Sequence, residues 1–370
     1  MIGVLHAYSR TNSGDSLLVD VTLDRLARCG VAASDVVLVA LDPDSFPEVP
    51  HRLAVGARGR ALAWELLPAV GRAVAADASA AARRPFGALA RELARCEALV
   101  AVGGGYFRAV DATSSIGCAL NHLPQLALAA RAPVPSLYLP QSIGPLRGPV
   151  GAAVRRGLRH VDAVCVRDRW SAAELVEQPN VLQVPDLAVL ELAEHFDQIE
   201  RASAGGRVGL VARQVGHAVG YEDHLLTLAD ELGDRAVWVV QTTGDRSKSD
   251  AVHYERLGIT PSGRLVDLLA AGDLSAVVSV RLHGALMAIR AGVPAIHLAY
   301  DRKGPAAFSD LGLAEWCFDV RDVGAADLRG AVAGLVEDGA GYWDRLDFHR
   351  SGLCQASKQL DELVRKTLGG

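Results

Sequence analysis

The sequence contains no run of basic residues and no closely paired cysteines. Its 38 lysines and arginines and 43 acids are intermixed, leaving a formal charge of -5. That pattern gives neither a nucleic-acid footprint nor a lipid-surface patch. The six cysteines, Cys29, Cys96, Cys118, Cys165, Cys317 and Cys354, stand singly and mostly in apolar surroundings. They are expected to be reduced core residues, not a disulfide or metal framework. Long apolar runs are also missing: the alanine-rich stretch 61–82 is broken by Glu65, Arg72 and Asp77, so it cannot span a bilayer. The opening Met1-Ile-Gly-Val-Leu-His6 lacks a basic leader and reads as a first strand, which makes a cytoplasmic location the expectation. There is no low-complexity tract and no internal repeat.

With 370 residues, half of them hydrophobic and 22% charged, the chain is long enough for two globular domains. Strand-like runs at Ile2 to Leu5, Asp35 to Ala40, Ala98 to Val102, Ser136 to Leu139 and Ala163 to Val166 alternate with helical patterns. The alternation resumes at Val208 to Val211, Ala236 to Gln241, Ala276 to Val280 and Ala295 to Leu298. This predicts parallel sheets with crossover helices, an α/β fold of two Rossmann-like domains facing a central cleft. The expected division is an N-terminal domain over 1–190, a linker over 191–207, a C-terminal domain over 208–341 and a helical segment over 342–370.

Ligands of open α/β sheets sit beyond the carboxyl ends of the strands, so the polar residues there are the candidates. Ser279-Val280-Arg281-Leu282-His283-Gly284 ends a buried strand and opens a helix. A fixed cation beside a titratable imidazole suits an anionic substrate that needs a proton. Tyr300-Asp301-Arg302-Lys303 follows the next strand. In the first loop, Tyr8 to Ser16, turn residues and a helix cap explain much, yet Asn12 and Asp15 are also suited to sugar hydroxyls. Gly103-Gly104-Gly105 allows close backbone approach and exposed amides, but there is neither a nucleotide P-loop nor a Gly-x-Gly-x-x-Gly spacing. Pro140-Gln141-Ser142-Ile143-Gly144-Pro145 reads as a turn capping the strand Leu137 to Leu139. Arg167, at the end of the strand Ala163 to Val166, suits either an anion or a salt bridge to Asp168 or Asp186.

Together these marks resemble the polysaccharide pyruvyl transferase family. The matching pieces are Asn12-x-Gly14-Asp15, Gly103 to Gly105, Gln141-Ser142-Ile143-Gly144-Pro145, Arg167-Asp168-x-x-Ser171, Pro185-Asp186, Arg281-Leu282-His283-Gly284 and Tyr300-x-x-Lys303, spread in order over about 3–312. The lead-in His6-Ala7-Tyr8-Ser9-Arg10 departs from the glycine-rich pattern. The resemblance implies a glycosyltransferase-B-like architecture and transfer of a pyruvyl group from phosphoenolpyruvate to two hydroxyls of a sugar, glycan or glycoside acceptor. A cyclic ketal forms and phosphate is released. It implies that Arg167, Arg281, His283 and Lys303 fall on the donor site, with Arg213 a less direct anion ligand; protonating the donor's methylene carbon calls for a general acid, for which His283 is the candidate. Asn12, Asp15 and Gln141 fall to the acceptor, Asp15 also serving as base. No cofactor and no obligatory metal are expected, since no His, Cys or carboxylate group has ligand spacing along the sequence. The competing readings are a nucleotide-sugar glycosyltransferase of the same architecture and a non-catalytic sugar or phosphate binder.

Overall fold

The computed structural model describes residues 1–55, 87–203, 205–216, 220–242, 249–337 and 339–370. The stretch 61–82, read above as too polar to cross a membrane, lies outside the described residues. Among those described, no helix is long and apolar enough to cross one.

The chain forms two compact units. Unit 1 comprises Met1–Arg10, Asp15–Leu187 and Lys358–Gly370; unit 2 comprises Thr11–Gly14 and Ala188–Ser357. Unit 1 carries β1 (Ile2–Ala7), β2 (Val36–Ala40), β3 (His51–Ala54), β4 (Ala98–Ala101), β5 (Gly104–Ala109), β6 (Ser136–Leu146), β7 (Ala163–Val166) and β8 (Val181–Gln183). Its sheet runs β3-β2-β1-β4-β6-β7-β8, with β5 also paired to β6, and every pairing is parallel. β1, β2, β4 and β7 are buried along their whole length, as strands covered by helices on both faces must be.

Unit 2 carries β9 (Arg207–Val211), β10 (Ala236–Val240), β11 (Gly263–Arg264), β12 (Leu274–Ser279), β13 (Ala295–Ala299) and β14 (Cys317–Asp319). These form a six-stranded sheet in the order β11-β10-β9-β12-β13-β14. Counted within the unit this is the doubly wound order 3-2-1-4-5-6, and unit 1 follows the same scheme once β5 is set aside. The strand order reverses between β1 and β4 in one unit and between β9 and β12 in the other. Each reversal opens a crevice at the carboxyl ends, where ligands of such sheets bind.

The boundaries differ from the sequence reading. The expected linker 191–207 packs within unit 2: the helix Leu187–Glu194 is apolar and almost wholly buried, and the Glu200 carbonyl lies against Gly292. The final helix, Ala340–Thr367, does not stand apart as a segment of its own; its end from Lys358 belongs to unit 1, where Asp361 pairs with the buried Arg25 at 2.6 Å. All six cysteines are free, and burial pushes the Cys165 thiol up to about 12.

Candidate functional site

In unit 2 the β12 strand ends at Ser279, and Arg281 then caps the helix Leu282–Arg290. Ser279 Oγ receives the Arg281 N–H at 3.1 Å and donates to the Arg281 carbonyl at 2.8 Å, which fixes the turn. The guanidinium donates through Nε to Asp250 Oδ1 at 2.8 Å. Asp250 is wholly buried and also accepts the backbone N–H groups of Gln241 and Thr242, each at 2.9 Å. With its other oxygen held by two backbone donors, Asp250 is fixed in place and sets the direction of Arg281. Sequence reading overlooked it; the only signal was Ser249-Asp250 opening the short helix Asp250–Arg256.

His283, two residues beyond Arg281 in the first turn of the helix Leu282–Arg290, is half-buried with its ring against Gly14. A Cβ added there would meet His283 Nδ1 at 2.5 Å, so only glycine permits this approach. Asn12 bridges to Thr242 in antiparallel fashion, and its Oδ1 accepts the Gly14 N–H at 3.2 Å. The Asn-x-Gly part of the first loop therefore belongs with the Arg-x-His turn.

On the neighbouring strand end, past β9, Arg213 Nη1 donates to the Tyr300 hydroxyl at 2.9 Å and its guanidinium lies 5.1 Å from the Tyr300 ring centroid. Burial raises the Tyr300 phenol, with the Arg213 and Arg281 charges opposing. Lys303 opens the helix Lys303–Asp310 after β13. Its backbone N–H is held by Asp301 Oδ1 at 2.9 Å, with Nζ 3.8 Å from Asp301 Oδ2. Unit 2 thus carries Arg213, Arg281 and Lys303 after three neighbouring strands, β9, β12 and β13, with His283 two residues beyond Arg281.

Three expected residues fall in unit 1. Asp15 lies in the first turn of the helix Ser13–Arg28, and after burial its carboxylate is the next cause that raises the Tyr8 phenol. Gln141 is not at a strand end. β6 continues to Leu146, through the predicted cap, so Gln141 is mid-strand and fully buried, with Nε2 3.4 Å from the Leu139 carbonyl. Arg167 realises the salt-bridge reading: it is buried in an ion pair with Asp186, the two side chains 3% and 2% exposed, and donates through Nε to Ser142 Oγ at 3.0 Å. The glycine run also differs from expectation. Gly104 and Gly105 begin β5, and a Cβ at Gly103 would lie 2.7 Å from the Pro140 carbonyl oxygen. The run therefore serves strand packing.

Among the described residues one group has metal-ligand geometry. Glu191, Glu194 and His195 bring ligand atoms within 4.8 Å of one another, at helical i, i+3, i+4 spacing that sequence reading passed over. Protein groups answer this charge: Arg290 lies 3.1 Å and His195 3.3 Å from Glu191, and Ser357 donates to Glu194.

Two Rossmann-like domains, each with a strand-end crevice, make this a glycosyltransferase-B-like α/β protein. Its fold is similar to that of the UDP-GlcNAc 2-epimerase from Neisseria meningitidis, with TM-score 0.56 and 12% identity over 99% of this chain and 100% of that one. The epimerase from Methanocaldococcus jannaschii matches with TM-score 0.53 and 12% identity over 91% and 93%. Phytolacca americana UGT2 matches with TM-score 0.52 and 13% identity over 99% and 98%. At these identities the likeness is one of fold. No curated protein matches the sequence significantly. The family model for polysaccharide pyruvyl transferase matches residues 12–302, and the chain belongs to that family; it is a transferase.

Proposed function

We propose that the protein transfers the pyruvyl group of phosphoenolpyruvate to two hydroxyls of a sugar acceptor, giving a cyclic ketal and phosphate. One observation carries this reading: Arg213, Arg281 and Lys303 follow three adjacent strands of one sheet, and His283 stands two residues beyond Arg281. A small donor bearing both carboxylate and phosphate needs several fixed cations in a compact space. The Asp250 carboxylate supports the reading, because it holds Arg281 in one orientation.

In the proposed sequence His283, as imidazolium, gives its proton to C3 of the donor. The double-bond electron pair forms the C3–H bond and leaves C2 cationic. One acceptor hydroxyl bonds to C2, its proton passing to Asp15. The C2–O bond to phosphate then breaks, the electron pair leaving with phosphate, and the second hydroxyl bonds to C2 to close the ketal, its proton passing to the now neutral His283. A dianion beside His283 favours the imidazolium that the first step needs. Arg167 and Gln141, both buried, are proposed as supports of unit 1 and not as direct ligands, which revises the roles expected from their motifs.

The test is phosphate release from phosphoenolpyruvate in the presence of a panel of methyl hexopyranosides, with thermal shift comparing phosphoenolpyruvate and UDP-glucose. Ligand binding to the native state raises the melting temperature. A shift with phosphoenolpyruvate alone is expected. A shift with UDP-glucose alone would return the protein to nucleotide-sugar chemistry.

A further inference from the structure

We infer that Tyr8 recognises an oxygen of the sugar acceptor in unit 1, its hydroxyl aimed by a buried chain of hydrogen bonds through His122 and His6 to Tyr138. The inference deepens the acceptor half of the proposed reaction and rests on that reading.

The carboxyl end of β1 is distorted. His6 has φ +67°, a left-handed conformation that non-glycine residues rarely hold and that persists where surrounding contacts impose it. The β1–β2 register shifts between Val4 and Ala7. The kink turns the His6 N–H onto Gln125 Oε1 at 2.8 Å and puts the imidazole into the interior. The Tyr106 ring stacks on both His6, at 4.5 Å between centroids, and His122, at 4.8 Å. His6 Nδ1 lies 3.2 Å from His122 Nδ1, His6 Nε2 lies 3.1 Å from the Tyr138 hydroxyl, and His122 Nε2 lies 3.1 Å from the Tyr8 hydroxyl.

Proton bookkeeping gives this chain a direction. Burial lowers both imidazoles, His122 to about 3, so each is neutral with one N–H and one acceptor nitrogen. Tyr138 is fully buried, and among the described residues the only hydrogen-bond partner of its hydroxyl is His6 Nε2. A buried hydroxyl proton without an acceptor is costly, so Tyr138 donates. It follows that His6 carries its proton on Nδ1 and donates to His122 Nδ1, and that His122 donates through Nε2 to the Tyr8 oxygen. The Tyr8 proton then points onward. Burial and, next, the Asp15 carboxylate raise the Tyr8 phenol, so it keeps that proton.

A half-buried donor thus sits at the carboxyl end of β1, beside the crevice where the strand order reverses and close to the Asp15 carboxylate. A fixed donor next to an acceptor suits neighbouring oxygens of a carbohydrate, and a site built to hydrogen-bond hydroxyls discriminates strongly against compounds lacking them. Tyr8 touches the acceptor in this scheme; His122 and His6 are positioning residues.

The test reads tautomers and sugar binding separately. In the ¹⁵N-histidine-labelled protein, His6 should be neutral with its proton on Nδ1 and His122 neutral with its proton on Nε2; the opposite tautomers overturn the inference. Binding of the same methyl hexopyranosides, followed by saturation-transfer NMR, should weaken about fivefold to tenfold in Tyr8→Phe. His122→Leu should match that loss, the double variant should be no worse, and His122→Gln, which keeps an N–H donor, should recover most of it. Unchanged binding in Tyr8→Phe, additive losses, or no sugar binding by the native protein would overturn the inference. If His122→Leu fails to fold, Tyr8→Phe and the tautomers decide. A phosphoenolpyruvate thermal shift that survives alongside any of those results leaves the proposed donor chemistry standing, whereas its loss strikes that chemistry instead.

Discussion

Each unit ends a buried strand with an arginine tied to a buried aspartate, and the two pairs do different things. Arg167 in unit 1 is 3% exposed against Asp186 at 2%, while Arg281 in unit 2 is 11% exposed against Asp250 at 0%. Arg167 is also held by Ser142, within a web in which Asp168 receives Ser142 and Ser171. Arg281 instead caps a helix whose first turn carries His283. The same local sequence, a strand followed by arginine, becomes an internal tie in one case and a presented cation in the other. What separates them is how deeply the chain beyond the strand covers the guanidinium.

The largest expected effect tests the presented side. His283→Ala should lower turnover by about 10²–10⁴-fold, the usual contribution of a general acid, while phosphoenolpyruvate affinity stays within about tenfold. Phosphate-release kinetics together with thermal shift measure both, and near-normal turnover would move the acid elsewhere.

The second effect tests the internal tie. Arg167→Ala should destabilise by about 3–5 kcal/mol, because it breaks a buried ion pair and removes the guanidinium from the Asp186 carboxylate. Replacing both residues, as Arg167→Met with Asp186→Leu, should be much milder. Arg281→Ala should cost less than Arg167→Ala, since Arg281 is the more exposed of the two, 11% against 3%. Urea titrations of the three variants compare them, and equal losses for the two single arginine variants would erase the distinction drawn here.

Donor affinity comes next. Arg281→Ala should weaken phosphoenolpyruvate by about 1.5–3 kcal/mol, the range for a charged hydrogen bond. The folded double variant at Arg167 and Asp186 should bind the donor normally; a comparable loss there would restore Arg167 to the donor site.

The smallest effect is one of pH and sets one buried histidine of each unit side by side. Burial lowers His122 to about 3 and His297 to about 4. Both folded values lie below the unfolded value near 6.5, so the stability linked to each is complete above about 6.5 and is lost as pH falls toward those lower values. The slope should be about 1.4 kcal/mol per pH unit for each histidine. Urea midpoints at pH 7.0 and 5.5 should therefore fall, and His297→Gln should flatten the dependence. A flat profile in the native protein would contradict the depressed values.

All nine strands expected from the sequence are present, because a strand buried on both faces needs an unbroken apolar run that stands out against amphipathic helices. The strands that escaped, such as His51–Ala54 and Val181–Gln183, are short and largely exposed, so they lack that signature. β5 was hidden by its glycines and the end of β6 by its Gly-Pro pair, both of which look like turns from local sequence alone. Of the proposed site, the positions of Arg281, His283 and Lys303 after strands were legible. Asp250, Tyr8 and His122 were not: Asp250 matters only because of what it holds, and the two histidines of the buried chain are 116 residues apart.

The sequence by itself determined the alternation of strand and helix, the family and the strand-end positions where charge gathers, since each is written in short-range pattern. Tertiary structure alone decided which arginine is buried and which is presented, that Gly14 lies under His283, and that His6 and His122 share one chain of hydrogen bonds. Those outcomes depend on which surfaces cover a side chain and on which partners arrive from distant segments, and local sequence carries no record of either.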